Sequence, residues 1–378
     1  MWSYFNLGQT SKKIVKMKIL RVINSLNIGG AERSVVSNVP IHRKNGFDID
    51  VLLLNGSRTH FYEDLAKKKI NIISLGKNNN IYNPLMIFKV AKYINDYDVL
   101  HVSLFPALYW VAFAKILTRS KTKLIFTEHS TDNRRMGSFF YALLDRIIYK
   151  QYDRIVAISP EASNNLVNHL KRSIRISTIY NGVDVSKVYA ESQIFSDLYV
   201  LKGKYKNQKI ILQVASFSIP KDQDTIIKSL PLLDENVHVI FVGDGPRMKI
   251  CTDLAKSMNV DHRISFLGIQ NNVHALYGLS DIVVMSSHYE GFGRAAVEGM
   301  AAKKPLLASN VAGLAEIVKN HGILFEPGNY VELSQIINKL LANKKLYDDV
   351  ALKCFNRAKD FDINKMVSAY ENIYKTII

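Results

Sequence analysis

The chain has 378 residues, of which 48% are hydrophobic and 22% are charged, and this composition excludes a mostly disordered protein. Its length exceeds what one hydrophobic core normally serves and suits two domains. Residues 1–182 contain 27 Lys and Arg against 12 Asp and Glu, whereas residues 183–378 contain 23 against 21. This asymmetry indicates an anionic partner of the first half, such as a nucleic acid, an acidic membrane or a phosphorylated substrate, unless it reflects a lysine-rich coding bias.

Neither a secretory signal nor a membrane span is predicted. Residues 1–16 lack a continuous apolar core and a small-residue cleavage site, and we treat them as an N-terminal extension without an assigned role. The longest uncharged run, from Val99 to Ala114, is shorter than a bilayer span. Cys251 and Cys354 both lie in helical patterns, which predicts buried free thiols in a reducing cytoplasm.

Short apolar runs alternate with helical patterns along the first half of the chain. This alternation is typical of βαβ units and of a parallel sheet that is covered on both faces. Strands are predicted at 17–24, 49–54, 99–102, 123–127, 154–158 and 176–179. We place a first domain at residues 17–183.

The pattern changes after residue 183. Residues 184–207 show no strong periodic pattern and run into the polar sequence KGKYKNQK, so we predict a linker there. Alternation then resumes, with strands predicted at 209–215, 237–242, 263–267, 281–286 and 305–308 and helices at 222–233, 246–258, 273–279, 293–302 and 313–319. From residue 331 the pattern is helical to residue 378. The sequence therefore predicts an α/β fold of two Rossmann-like, doubly wound domains facing each other across a cleft, with the second domain at 208–362.

Ligands of doubly wound sheets bind at the carboxyl ends of strands, where glycine-containing turns open helices. The first such turn contains Gly29 and Gly30, which let the backbone approach a ligand, and the start of a helix that offers N–H groups to an anion. It lacks the ending of a P-loop and the spacing of GxGxxG. By itself, a purely structural turn is an equally good interpretation.

The most informative turn follows a predicted strand that ends at Met285. Glu290 precedes the glycines Gly291 and Gly293, and Glu298 lies about two turns into the helix that follows. Both carboxylates could point into one cleft, one toward a sugar and the other toward a ribose, while the helix start between them suits a diphosphate. A solvated surface role is a reasonable alternative for one of the two acids and a poorer one for both.

Cationic and histidine side chains mark other strand ends. Lys221 precedes a predicted helix and could neutralise a phosphate, or it could pair with acids on the surface. His101 and His129 each end a predicted strand, where a histidine can accept a proton or bond a hydroxyl group, and a structural role is equally open. Arg134 and Arg135 could contact an acceptor phosphate or be solvated. No HExxH, CxxC pair or strand-end Asp-x-Asp occurs, so we predict no metal site.

These segments together resemble the retaining glycosyltransferases of family 4, also grouped as glycosyl transferases group 1, which have the GT-B fold. The matching segments span nearly the whole chain, and the Glu-x7-Glu segment is the most specific of them. They are GGAER (29–33), DVLHVSLFPALYW (98–110), TEHSTDNRR (127–135), IYNGVD (179–184), KDQDT (221–225), GDGP (243–246) and EGFGRAAVEGMAAKKPLLASNVAGLAEIV (290–318).

The resemblance implies a role for the matching residues. Glu290 would bind hydroxyl groups of the donor sugar, Glu298 would bind the ribose of the nucleotide, and His101 would lie near the sugar. Gly29 and Gly30 would let the first domain close over the phosphates. The residues implied to hold the diphosphate are Lys221, Gly291, Phe292, Gly293 and Arg294. Acceptor binding would fall mainly to the first domain, with His129, Arg134 and Arg135 on that side, and a C-terminal helix at 363–378 would cross back to it.

Two departures from the family pattern affect these assignments. Relatives often carry an arginine beside the diphosphate where this chain has Ser216, and Arg294 is the candidate to compensate. Many relatives have His-x-His after the fourth strand, whereas Ser103 takes the second place here. Both His101 and His129 therefore stay candidates for the histidine role.

The resemblance implies transfer of a sugar from a UDP- or GDP-sugar to a hydroxyl group of a glycan or lipid-linked acceptor, with retention, in surface polysaccharide or glycan biosynthesis. The leaving diphosphate would help to take the acceptor proton, and neither a metal nor a cofactor is expected. A nucleotide-sugar epimerase of the same two-domain shape and a basic nucleic-acid-binding protein are the alternatives. The second lacks an RNP-like motif and a helix-turn-helix, so no nucleic acid is expected. The sequence does not specify the donor sugar, the nucleotide base, the acceptor, the linkage or the oligomeric state.

The charge asymmetry is not explained by donor binding, because the implied phosphate contacts lie mainly in the nearly neutral second domain. The excess lies in clusters such as 67–69, 115–123 and 171–175. We therefore predict a cytoplasmic protein that attaches peripherally to the anionic inner face of the cell membrane, which presents a polyprenyl-diphosphate-linked acceptor.

Overall fold

The computed structural model describes residues 17–27, 29–78, 80–129, 138–170, 176–194 and 203–377. The chain forms two compact units, residues 1–125 and 126–377. The division at residue 125 falls within the strand Lys123–Glu128. The predicted boundaries at 183 and 208 instead separate the residues of the first sheet from those of the second. Those boundaries stay predictions, and the N-terminal extension at 1–16 lies outside the described residues.

The first sheet has seven strands, six of which the alternating pattern of the first half predicts. They are β1 (Lys18–Ile23), β2 (Asp48–Leu53), β3 (Ile72–Ser74), β4 (Val99–Ser103), β5 (Lys123–Glu128), β6 (Arg154–Ala157) and β7 (Ile176–Thr178). Their order is β3-β2-β1-β4-β5-β6-β7, and Ile19 of β1 lies opposite Ile49 and Val99 in parallel register. Parallel neighbours need crossover connections, which helices supply here. These are α1 (Gly30–Lys44), α2 (His60–Lys67), α3 (Met86–Ala91), α4 (Ala107–Thr118), α5 (Phe139–Tyr149) and α6 (Pro160–Leu170).

The second sheet repeats this arrangement with six strands. They are β8 (Lys209–Val214), β9 (Val237–Val242), β10 (Ile264–Phe266), β11 (Ile282–Met285), β12 (Leu306–Ser309) and β13 (Ile323–Phe325). Their order, β10-β9-β8-β11-β12-β13, places the first strand of the set in the middle, as β1 is placed in the first sheet. Both sheets are therefore Rossmann-like, which confirms the predicted α/β class.

Nine α-helices accompany the second half where the structure describes it. They are α7 (Val185–Ser192), α8 (Gln223–Ser229), α9 (Met248–Ser257), α10 (Val273–Leu279), α11 (Arg294–Ala301), α12 (Ala315–Val318), α13 (Tyr330–Ala342), α14 (Lys344–Ala358) and α15 (Ile363–Thr376). The predicted helical tail thus consists of three helices. Asn343 and Asp362 begin the second and third by accepting backbone N–H bonds with their side chains.

The predicted linker contains a helix that the sequence interpretation missed. In α7, Val185, Val188 and Ser192 are buried on one face, and the Asp184 side chain accepts the Lys187 N–H at 2.9 Å. Two strands were also missed, β3 and β13. Each has only three residues and lies at a sheet edge.

The two cysteines lie where the pattern predicts them, on α9 and α14. Both Cys251 and Cys354 are free and fully buried. Burial raises the pKa of each thiol to about 12, so both stay protonated at neutral pH. These observations confirm the prediction of buried free thiols.

The segment around residue 183 connects the end of the first sheet to the last helix. Val183 donates its N–H to the Phe361 carbonyl and accepts the N–H of Ile363, each at 2.9 Å. Farther along α15, the Tyr370 hydroxyl lies 3.2 Å from Thr127 Oγ1 on β5. This contact joins α15 to a strand of the first sheet, and the crossing of the C-terminal helix back to the first domain stays a prediction.

We expect Gly182→Ala to lower the free energy of unfolding by about 1–3 kcal/mol, because a Cβ at residue 182 would lie 2.6 Å from the Ile363 Cα atom. Chemical denaturation of the whole chain measures this change. Gly203→Ala is the matched control, since no atom lies within 4 Å of a Cβ at that position. Equal unfolding midpoints for the two variants would contradict the prediction.

Candidate functional site

The first glycine turn opens α1 in the first unit. Gly29 is the N-cap residue in extended conformation, and it lacks a side-chain cap. A Cβ at Gly29 would lie 2.2 Å from the Glu32 carboxylate, whereas a Cβ at Gly30 would meet nothing within 4 Å. A side chain at residue 29 would meet only the flexible end of Glu32, which can move aside, and Gly30 leaves open space beside the helix start. A phosphate-contacting role for both residues stays a prediction.

His101 lies in the interior of the first unit, on β4. Its side chain is completely buried, and its Cα lies opposite that of Arg21 on β1. Arg21 is also buried and donates from Nη2 to Ser103 Oγ at 3.2 Å. The role of His101 at the donor sugar stays a prediction.

The second glycine turn connects β11 to α11 in the second unit. Gly293 adopts a left-handed conformation, with φ of 70°, and is the N-cap of α11 without a side-chain cap. The helix therefore begins with backbone N–H groups that no N-cap side chain accepts, a favourable position for an anion. A Cβ at Gly291 would lie 3.5 Å from the His129 carbonyl oxygen. The turn thus lies against the end of β5, and His129 is one of its neighbours.

Lys221 and Glu290 form an ion pair at this turn. Lys221 Nζ contacts Glu290 Oε1, and the two side chains are 22% and 13% exposed. Ser287 Oγ donates to the same carboxylate oxygen at 3.2 Å. The structure therefore brings together two of the predicted site residues, a cation assigned to a diphosphate and a carboxylate assigned to a sugar.

A buried glutamine holds the backbone beside Lys221. Gln213 lies on β8, is 1% exposed, and donates to the Lys221 carbonyl at 3.1 Å and to Ser286 Oγ at 3.0 Å. Ser286 donates in turn to the Asp222 carbonyl at 2.7 Å. Each of these polar groups would be costly to bury unpaired, so they fix one another and the loop that carries Lys221.

The carboxylate side of the ion pair has its own buried support. Ser309, at the end of β12, is completely buried and its hydroxyl contacts the Ser287 carbonyl. Sequence reasoning did not single out Gln213, Ser286 or Ser309. The signal in the sequence was that each of three neighbouring apolar strands has a polar residue at its carboxyl end. Such strands are buried, so a solvent-facing role does not explain the polar residues.

Glu298 lies inside α11 and is 3% exposed. It accepts Arg294 Nε at 3.0 Å, and the Tyr277 hydroxyl lies 3.4 Å from its second oxygen. Arg294 also donates from Nη1 to the Gly182 carbonyl at 2.8 Å. The two predicted site residues are thus paired with each other, and Arg294 ties α11 to the segment around residue 182. Contact of Glu298 with a ribose, and of Arg294 with a phosphate, stay predictions.

The turn that contains Ser216 has no arginine residue. Phe217 is completely buried against Phe241 and Phe266, and Ser216 Oγ lies 3.2 Å from Ser218 Oγ. Two small hydroxyl side chains therefore occupy the position where relatives often present a cation. Phe292, the remaining predicted residue of the glycine turn, is buried against the Phe361 ring, which anchors the turn.

Two predicted acceptor-side residues, Arg134 and Arg135, lie outside the described residues. Among the residues described, no group of three or more His, Cys, Asp and Glu is arranged to hold a metal ion. Over the same residues, no helix is both long and apolar enough to cross a membrane.

Two family models match the chain. Residues 28–187 match the model described as Glycosyltransferase Family 4, and residues 201–353 match the model described as Glycosyl transferases group 1. Together the two matches cover most of the chain and include both glycine turns.

Similar proteins are found among curated sequences. The chain is 28% identical over 291 residues to the N-acetyl-alpha-D-glucosaminyl L-malate synthase of Bacillus anthracis, an alignment that covers 74% of this chain and 75% of that protein. It is 24% identical over 360 residues to the N-acetylgalactosamine-N,N'-diacetylbacillosaminyl-diphospho-undecaprenol 4-alpha-N-acetylgalactosaminyltransferase of Campylobacter jejuni, an alignment that covers 90% of this chain and 94% of that protein.

The fold is also found among solved structures. HepE from Anabaena, crystallised in complex with UDP and glucose, has a TM-score of 0.84 to this chain at 23% identity. The match covers 95% of this chain and 100% of that one. At this identity the likeness establishes the fold, and it confirms the predicted class of fold.

We expect Gln213→Leu to lower kcat/KM for the donor substrate by about ten- to a hundredfold, because the Lys221 loop would lose its buried hydrogen bonds and shift. Steady-state kinetics measures the effect, which should fall mainly on kcat. Val239→Ala on the adjacent strand β9 is the control, since it removes apolar volume from the same core without touching these bonds. An equal loss of kcat/KM in both variants would show that general destabilisation, not positioning, is responsible.

Proposed function

Because the chain belongs to the family 4 glycosyltransferases of group 1 and has their GT-B fold, we propose that it transfers a sugar from a UDP- or GDP-sugar to a hydroxyl group of a glycan or lipid-linked acceptor, with retention. Family membership identifies the chain as a transferase, and this identification is favoured over the epimerase and nucleic-acid-binding alternatives. Surface polysaccharide or glycan biosynthesis is the proposed setting.

The observation that carries this proposal is the Lys221–Glu290 ion pair beside the start of α11. A carboxylate accepts hydrogen bonds from sugar hydroxyl groups, and an ammonium group together with helical N–H groups attracts a diphosphate. When a donor binds, Lys221 exchanges Glu290 for the diphosphate, and Glu290 exchanges Lys221 for hydroxyl groups of the sugar. Each charge keeps a partner throughout, so neither is left unpaired in a largely buried site.

The proposed chemistry needs a stabilised leaving group more than it needs a nucleophilic carboxylate. As the bond between the sugar and the diphosphate breaks, negative charge grows on the diphosphate, and Lys221 and the N–H groups of α11 stabilise it. The acceptor attacks from the same face, and its proton passes to the leaving diphosphate. On this proposal the chain supplies the positive charge itself and requires neither a metal nor a cofactor.

The donor and acceptor classes follow from what similar proteins are named for. UDP and glucose are present in the HepE complex, which supports a nucleotide-sugar donor. The Campylobacter jejuni relative is named for a diphospho-undecaprenol acceptor, which supports a lipid-linked acceptor for this chain. The names of both relatives specify an alpha configuration, the stereochemistry that retention gives from an alpha-linked donor.

The proposed location is the cytoplasmic face of an anionic membrane. The first half of the chain carries 27 basic against 12 acidic side chains, and a lipid-linked acceptor would be presented at such a surface. Positive charge there attracts the enzyme to anionic headgroups, while the nearly neutral second half is left for the nucleotide sugar.

We expect Glu290→Ala to lower kcat/KM by about a hundred- to a thousandfold without weakening the binding of the free nucleoside diphosphate, because Glu290 is assigned to the sugar and its removal frees Lys221 for the diphosphate. Lys221→Ala should weaken binding of the nucleoside diphosphate itself. Thermal-shift screening against UDP- and GDP-sugars identifies the donor, and turnover and calorimetry then measure the variants. Glu235→Ala, an exposed acid in the same unit, is the control. Wild-type turnover by Glu290→Ala would refute the assignment.

We expect the product to have the anomeric configuration of the donor. Proton NMR of the glycoside formed on the acceptor measures the coupling constant of its anomeric proton, which is compared with that of the donor. An inverted product would refute retention without refuting glycosyl transfer.

A further inference from the structure

Three large apolar side chains of the first unit are unusually exposed and lie close together in the chain. Tyr82, Leu85 and Phe88 are 58%, 60% and 58% exposed, and we refer to them as the apolar patch. They follow one another at three-residue spacing, on the turn before α3 and on α3 itself. Single exposed apolar residues are common on any protein, whereas a group of them marks a contact surface.

The apolar patch is held in place by its surroundings. Trp110 on α4 donates its indole N–H to the Ile81 carbonyl at 2.7 Å, and the Tyr82 N–H donates to Asn80 Oδ1 at 3.0 Å. The Tyr82 ring lies 6.0 Å from that of Phe105. Specific hydrogen bonds therefore hold a turn that directs apolar groups toward solvent, which indicates that their exposure has a use.

Positive charge surrounds this part of the sequence. Residues 67–123 contain ten Lys and Arg and only two acids, Asp96 and Asp98. Lys92, at the C-terminal end of α3 one turn beyond Phe88, is exposed. Lysine side chains next to exposed aromatic and aliphatic groups form the combination that binds the interface of an anionic bilayer, because headgroups pair with the cations while the apolar groups enter the acyl boundary.

We propose that the apolar patch inserts into the interface of a lipid bilayer containing anionic headgroups. The membrane location rests on the proposed function, whereas the inserted residues are assigned from their exposure and charge. A second copy of the chain fits this surface less well, because it would bring an equally basic surface against the first, and like charges repel. An anionic bilayer provides headgroups that pair with the lysines and an acyl region that takes up the apolar side chains.

The test compares vesicle binding of the full chain with that of Leu85→Ser/Phe88→Ser. Vesicles of phosphatidylcholine, with and without phosphatidylglycerol, are sedimented with each protein at low and high salt. The wild-type chain should bind the anionic vesicles more tightly, and salt should weaken that binding. The double variant should bind them at least about tenfold less tightly, since two inserted side chains lose their apolar contact.

A matched control comes from the nearly neutral half. Ile250 and Ile269 are 52% and 60% exposed, so Ile250→Ser/Ile269→Ser removes similar apolar area elsewhere and should leave vesicle binding unchanged. Melting temperature confirms that each variant is folded. Failure of the wild-type chain to bind anionic vesicles, wild-type binding by the patch variant, or an equal loss in the control would each overturn the proposal. So would a wild-type dimer that the patch variant abolishes while vesicle binding persists.

Hydrolysis of the nucleotide sugar in solution separates this inference from the proposed function. The patch variant should hydrolyse the donor at the wild-type rate, because the apolar patch lies outside the donor machinery. If the wild-type chain turns over no nucleotide sugar but loses vesicle binding with the patch, the proposed donor chemistry fails and the membrane surface stands. If the chain turns over the donor and its vesicle binding does not depend on the patch, the membrane surface fails and the donor chemistry stands.

Discussion

Lys221 and Glu290 neutralise each other in a part of the second unit where little water reaches either side chain. Two charges so placed must each keep a partner, because an unpaired ion in a desolvated position strongly destabilises a fold. The surrounding polar groups serve this requirement: Gln213 and Ser286 hold the loop of the cation, and Ser309 and Ser287 hold the carboxylate. On the proposed function, a ligand with both negative phosphates and hydroxyl groups would satisfy the two charges separately, so the constraint that stabilises the free protein would also select the class of ligand.

The topology of the second sheet explains why these groups meet. Strands β8 and β11 are parallel neighbours, so the segments that follow them, with Lys221 and Glu290, leave the same edge of the sheet. Parallel pairing gives each strand its own crossover helix, and the helix starts collect at that edge too. The α11 N-terminus therefore lies next to the ion pair for a topological reason, independent of the chemistry that the site performs.

The sequence was sufficient for the elements with strong periodicity and for the residues in recognisable turns. Most strands follow from those patterns, as does the choice of Lys221 and Glu290 as site candidates, whereas their pairing with each other is known only from the structure. The short edge strands β3 and β13 were missed, and α7 was missed because its apolar face is narrow. The roles of Arg294 and Glu298 could not be assigned from spacing, because a helical (i, i+4) pair has the same spacing whether its partners face a ligand or each other. Only the folded structure shows that they bond each other.

The pairing of Val183 with residues 361–363 has a consequence for the order of folding. Its two hydrogen bonds join positions that are far apart in the chain, so the segment that ends the first sheet obtains its partners only after the whole second sheet has been synthesised. Contacts of such high sequence separation carry a large loop-closure cost and form late. Nascent chains that lack the last two helices would hence carry all strands of the second sheet while the segment around Val183 still lacks its hydrogen-bond partners, a state that is open to proteolysis and to pairing with the wrong partner.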